Sequence, residues 1–174
     1  MSKLHKPKAA KTIVMKALII YRDFISAAKA NSALQLSAHL TDIEVEWNVR
    51  PWRLDMLKFP PTADEALIDA ADAHLILFAG DCAQSMPFWL QDWLELWAKH
   101  KQVTAAALAV MSAGCSKILT SSATLDLTQF AKVHGLEIIF DDRDVIPTTS
   151  LAQNEFLGRA NPDLSKAVRA SMNI

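Results

Sequence analysis

The residues best suited to chemistry in this chain fall just after runs of apolar residues. Asp23 follows TIVMKALIIY, Asp81 follows AHLILFAG, Ser112 ends TAAALAVM, and the two cysteines, Cys82 and Cys115, stand close behind the last two runs. Two carboxylates converging from separate loops could share a cation or perturb one another's ionisation. Asp81 also has a structural use, since aspartates at loop starts accept amide hydrogen bonds and end a strand. Neither cysteine has a histidine nearby in sequence to activate it as a thiolate. No G-x-S-x-G elbow, G-x-G-x-x-G loop or P-loop lysine occurs, so the sequence assigns no catalytic set and no metal ligands. His74 and His134 read as surface or capping residues.

Two further groups invite recognition rather than catalysis. In EWNVRPWR, Arg50, Trp52 and Arg53 interleave cations with an aromatic, a pattern that can stack on a base or hold an acidic ligand. Its plainer use is packing by the tryptophans and pairing of the arginines with neighbouring acids. In MPFWLQDWLELWAKHK, Trp89, Trp93 and Trp97 recur every fourth residue and line one face of a helix. They can fill the layer above a sheet thinned by TAAALAV, or project outward into the buried centre of an interface, with a two-fold homodimer as the simplest closed form.

The elements that must hold these residues alternate. TIVMKALIIY reads as a strand buried on both faces, and DFISAAKANSALQLSAHL as a helix capped by Asp23. IEVEWNVRPW alternates as a strand near an edge, ended by Pro51, and RLDMLKFPP as a turn or short helical piece. TADEALIDAAD has Thr62 as cap and Glu65 three residues on, which predicts a second helix. AHLILFAG is a central strand, and the tryptophan helix follows. TAAALAV is the fourth strand, SATLDLTQFAKVH a helix starting near Ser122 or Thr124 and stopped by Gly135, and LEIIF the fifth strand. NPDLSKAVRASM reads as a short closing helix with Asn161 as cap and Pro162 at its first position. This order predicts an α/β fold with helices on both faces of a five-stranded doubly wound parallel sheet, strand order 2-1-3-4-5. Its crevice lies beyond the carboxyl ends of strands 1 and 3, which nominates Asp23, Asp81 and Ser112 as its lining.

A chain of 174 residues, 51% hydrophobic and 21% charged, has the balance of one globular domain. The net charge of −1 is unevenly spread, because residues 1–11 hold four lysines and no acid. That stretch is expected to be a disordered basic tail, residues 12–174 a single domain, and 145–174 its C-terminal extension. The mildly acidic remainder disfavours nucleic acid as a partner. No apolar run reaches the roughly 20 residues that cross a bilayer, and TIVMKALIIY is interrupted by Lys16, so no membrane association and a cytoplasmic location are expected. The loop after strand 1, YRDFISA, has no glycine and carries an acid, so a flavin or dinucleotide phosphate at its amides is disfavoured and no cofactor is expected.

Over roughly Lys16 to Phe140 the chain resembles a response-regulator receiver domain. In that family a pair of acids follows strand 1, the phosphorylated aspartate closes strand 3, Ser or Thr closes strand 4 and lysine closes strand 5. Here Asp23 matches one acid and Ser112 the hydroxyl position. Ala79 stands where the phosphoacceptor belongs, Asp81 comes two residues late, and DDRD replaces the lysine. With one acid a magnesium ion has too few oxygen ligands. The resemblance therefore implies a degenerate receiver, a non-catalytic domain acting through protein contacts with a partner or with itself. The alternative is a small-molecule-binding protein or enzyme that uses the crevice at strands 1 and 3.

Overall fold

The computed structural model describes residues 12–40, 44–80, 85–112 and 121–141. Asp81, Cys82 and Cys115, the basic tail, the C-terminal extension and the expected helix at NPDLSKAVRASM lie outside them.

Five strands, β1 (Ile13–Tyr21), β2 (Val45–Arg53), β3 (Leu75–Ala79), β4 (Ala107–Met111) and β5 (Glu137–Asp141), form one sheet in the order β2-β1-β3-β4-β5. All pairs are parallel. Ala17 lies opposite Val49 on one side and Leu75 on the other, Leu77 pairs with Ala109, and Ala109 pairs with Ile139. The expected topology is the one observed. β1 and β3 carry long apolar runs because both of their faces are covered, whereas β2 alternates buried Val45 and Trp47 with exposed Glu46 and Asn48, as an edge strand does.

Helices α1 (Phe24–Ala38), α2 (Pro60–Ala71), α3 (Phe88–His100) and α4 (Ser122–His134) connect the strands, with a 3-10 turn at Leu54–Lys58 ahead of α2. Leu18, Ile20, Ile76, Leu108 and Val110 pack beneath α2, α3 and α4. Met15, Ala17, Ile19, Leu75 and Leu77 face the other way, toward α1 through Ala30, Leu34 and Ala38. Asp23 caps α1, its carboxylate accepting from the Ser26 amide at 2.8 Å and the Ser26 hydroxyl at 2.7 Å. Gly135 ends α4 at φ 64°, the left-handed conformation in which a side chain is strained.

Two boundaries differ from those read in the sequence. β2 runs on through Pro51 to Arg53, which is tolerated because an edge strand has one row of amides with nothing to bond. α2 begins at Pro60 rather than at a Thr62 cap. Prolines at its first two positions have the helical φ preset and no N–H to leave unpaired, and Phe59 at the cap position has no side-chain acceptor, so no side-chain cap is made. α4 spans Ser122–His134 as expected, and its cap is Ser121, whose hydroxyl accepts from the Thr124 amide at 3.2 Å. Among the described residues no helix is long and apolar enough to cross a membrane.

Candidate functional site

A cleft with an enclosed volume of about 60 Å³ lies at the carboxyl ends of β1, β3 and β4. Ile20 and Arg22 come from the end of β1, Phe78, Ala79 and Gly80 from β3, and Val110 from β4. Leu54 comes from the 3-10 turn, Met86, Pro87 and Leu90 from the start of α3, and Ala123, Thr124 and Leu127 from the start of α4. Parallel strands explain the gathering, since every strand delivers its outgoing loop, and every following helix its N-terminus, to the same rim. The chain order reverses direction between β1 and β3, so the helices that follow part to opposite faces there and leave a gap.

Backbone hydrogen bonds carry the ladder past the strand ends. The Arg22 amide donates to Ala79 O at 3.2 Å, and the Gly80 amide to Met111 O at 3.1 Å. Gly80 has φ 136°, and a Cβ built on it would meet Arg22 Cβ at 3.2 Å. A bare Cα is therefore what lets the stem of Arg22 lie across the end of β3.

The polar residues nominated from sequence have different fates at this rim. Asp23 turns back onto α1, and the bonds from Ser26 hold its carboxyl below the ordinary value of 3.8, so it stays charged and engaged with its own helix. Ser112 follows β4 and is 7% exposed, its hydroxyl without a hydrogen-bond partner among the described residues. Asp81, the next residue after Gly80, lies outside the described residues, as does any approach to Asp23. No group of three or more His, Cys, Asp or Glu side chains is placed to hold a metal ion among the described residues.

The arginine–tryptophan segment is dispersed. Trp52 donates its indole N–H to Asp69 on α2 at 3.1 Å, Arg53 pairs with Asp55 two residues on at 2.7 Å, and Arg50 is exposed. Alternation along β2 puts Arg50 and Arg53 on opposite faces of the sheet. The segment's part in the cleft is made instead by Leu54, whose apolar side chain gave no chemical signal in the sequence.

The tryptophans of α3 point inward. Trp97 is fully buried and bonds Ala70 O at 2.9 Å; Trp93 is buried and bonds Ala63 O at 3.0 Å. Both indoles thereby fasten α3 to α2. Trp89 keeps part of its surface, with the Lys58 ammonium 5.7 Å from its ring centre. The outward-facing apolar residues of α3 are Phe88, 86% exposed, and Leu96, and a further group lies on α1, where Phe24 is 72%, Ile25 70% and Leu36 48% exposed.

No protein-family model and no curated protein matches the chain. Among solved structures it is similar to the rubredoxin oxygen:oxidoreductase from the anaerobe Desulfovibrio gigas, at 12% identity and a TM-score of 0.41. The match covers 91% of this chain and 35% of that one, so the chain spans about a third of the length of that protein.

Proposed function

We propose that the protein binds a small molecule in the cleft at the carboxyl ends of β1, β3 and β4. One observation carries the reading: a concave, predominantly apolar cavity sits at the switch point of a doubly wound sheet and is edged by a few polar groups. That combination of place and lining is where open α/β sheets hold their ligands. Apolar walls supply the affinity, and the rim groups fix orientation. The test is a two-dimensional amide NMR titration with a library of small apolar and amphiphilic fragments. Ligands should shift the amides of Ile20, Ala79, Gly80 and Ala123, and Ala123→Phe, which fills the mouth, should abolish those shifts. Fragments that bind only elsewhere on the molecule would sink the proposal.

A second reading, a non-catalytic receiver-like domain acting through protein contacts, including contacts between copies of this chain, draws its support from α1. That helix buries Ser26, Ala30, Ser37 and Ala38 and presents Phe24, Ile25 and Leu36 outward, and it has one charged residue, Lys29, in its 15. A helix with apolar residues on every side is typical of a buried element rather than a surface one. Ala79, closing β3 where that family has its phosphoacceptor, fits the non-catalytic part of this reading.

A further inference from the structure

We infer that two copies of this chain join β2 to β2 across a two-fold axis, antiparallel and centred on Asn48, so that the two sheets become one. This goes beyond the cleft and does not rest on it. β2 closes one side of the sheet; it is nine residues long and pairs with β1 alone. Ile13 donates its amide to Glu44 O at 2.8 Å and lies opposite Val45, which fixes the parity of the ladder. The main-chain groups of Glu46, Asn48, Arg50 and Trp52 turn toward β1, and those of Val45, Trp47, Val49, Pro51 and Arg53 turn outward. An outward row of amides and carbonyls of this length is a template for another strand.

The side chains select which strand fits. Glu46, Asn48 and Arg50 share one face of β2 and are exposed. Among the described residues neither the Glu46 carboxylate nor the Arg50 guanidinium has a partner. In an antiparallel pair centred on Asn48, Glu46 stands opposite the partner's Arg50, and the two-fold axis repeats that ion pair on its other side. Both pairs fall at non-hydrogen-bonded sites, where facing side chains come closest. Trp47 and the partner's Val49 exchange both main-chain bonds, and Val45 donates to the partner's Pro51, which can accept although it has no N–H to give. Other arrangements lose the match. Centred one residue either way, Glu46 would face the partner's Trp52 or the partner's Asn48 and go without a cation. A parallel pairing in register would set acid on acid and cation on cation, which destabilises a sheet. A charge pattern that is its own complement is what a contact between copies of one chain requires.

Sedimentation of the full chain at rising concentration tests the pairing. The wild type should dimerise. Glu46→Arg and Arg50→Glu each bring like charges face to face twice, and each should weaken the dimer at least about tenfold. Mixing the two single variants should restore association as a heterodimer, because the cations of one copy then face the acids of the other, and the double variant should match the wild type. Both positions are exposed, so the fold should be kept, which circular dichroism checks. In the wild type, hydrogen exchange at the Val45, Trp47 and Val49 amides should slow as concentration rises. A monomer at every concentration, or exchange at those amides that ignores concentration, would overturn the inference. So would a dimer indifferent to all of these variants, which is what association through α1 would give. Single variants that weaken the dimer without recovery on mixing would refute the register about Asn48.

Discussion

Single side chains show how narrowly their surroundings fix their roles. His74 stands at the opposite rim from the cleft, where its Nδ1 accepts from the Lys16 amide at 3.2 Å and its own amide donates to Lys16 O at 2.8 Å. Burial, the largest influence, lowers its pKa below the ordinary 6.5; Asp72 works against this and Lys16 with it. A folded-state value below the unfolded one means that the unfolded chain binds the extra proton. The stability this group contributes is therefore present above about pH 6.5 and is lost as pH falls toward the folded value. Melting temperatures taken from pH 8 to pH 5 should decline, and His74→Gln should remove part of that slope; a variant with the wild-type slope would refute the assignment. Trp47 and Trp97 form an instructive pair, both buried, one indole N–H without an acceptor among the described residues and the other bonded to Ala70 O. Phenylalanine at either site forfeits similar packing, but only at Trp97 does it also forfeit a hydrogen bond, while at Trp47 it removes an unmet donor. Chemical denaturation should show Trp97→Phe to be more costly than Trp47→Phe by about 1–2 kcal/mol, and equal losses would contradict this account.

At the level of elements, most of what was legible in the sequence was legible because it was local. The Asp23 cap and the Gly135 stop depend on a few adjacent residues, and both stand where the residue types put them. At Gly135 a built Cβ meets nothing within 4 Å, so its only obstacle is the backbone angle. Gly135→Ala should thus cost about 1 kcal/mol, with Gly135→Asn milder because asparagine tolerates that region; a neutral Gly135→Ala in thermal melts would show that the turn relaxes. The start of α2 was misjudged because two signals compete there. Thr62 and Glu65 have the spacing of a capping box, but Pro60 and Pro61 preset the helix two residues earlier and put Phe59, whose side chain cannot accept a hydrogen bond, at the cap position. The direction of the tryptophan stripe was not decidable from periodicity, since a face of three indoles suits a core or an interface equally. What decided it was α2, whose carbonyls at Ala63 and Ala70 meet the indole donors of Trp93 and Trp97.

For the molecule as a whole, the order of the strands followed from alternating periodicities, and with it the rim where a ligand would sit. The lining itself followed less well. Acids and hydroxyls attract the eye in a sequence, yet Leu54, Phe78 and Leu127 form the walls, and nothing in an isolated leucine distinguishes a cavity from a core. Gly80 became meaningful only once Arg22 was found lying against it. Assembly is also a property at this scale. If the outward side of α1 mediates contact between copies, sedimentation at rising concentration should show a dimer that the Phe24→Ser, Ile25→Ser double variant dissociates while the fold is kept, and Phe88→Ser on α3 should leave it intact. A monomer at every concentration would dismiss self-association through α1.

The all-parallel pairing has one more consequence, which concerns how the chain is made. β1 is made before the other four strands of the sheet and, from Ala17 to Ile20, is no more than 2% exposed in the finished protein. Its inner neighbour cannot be a hairpin partner: His74, which bonds Lys16 at the entry to β3, comes 58 positions later. At ordinary translation speeds of about 5–20 residues per second that is a wait of roughly 3 to 12 seconds. Throughout it, the nascent chain carries a water-averse segment with one long edge unsatisfied, and this interval is when a holding chaperone would matter most to its survival.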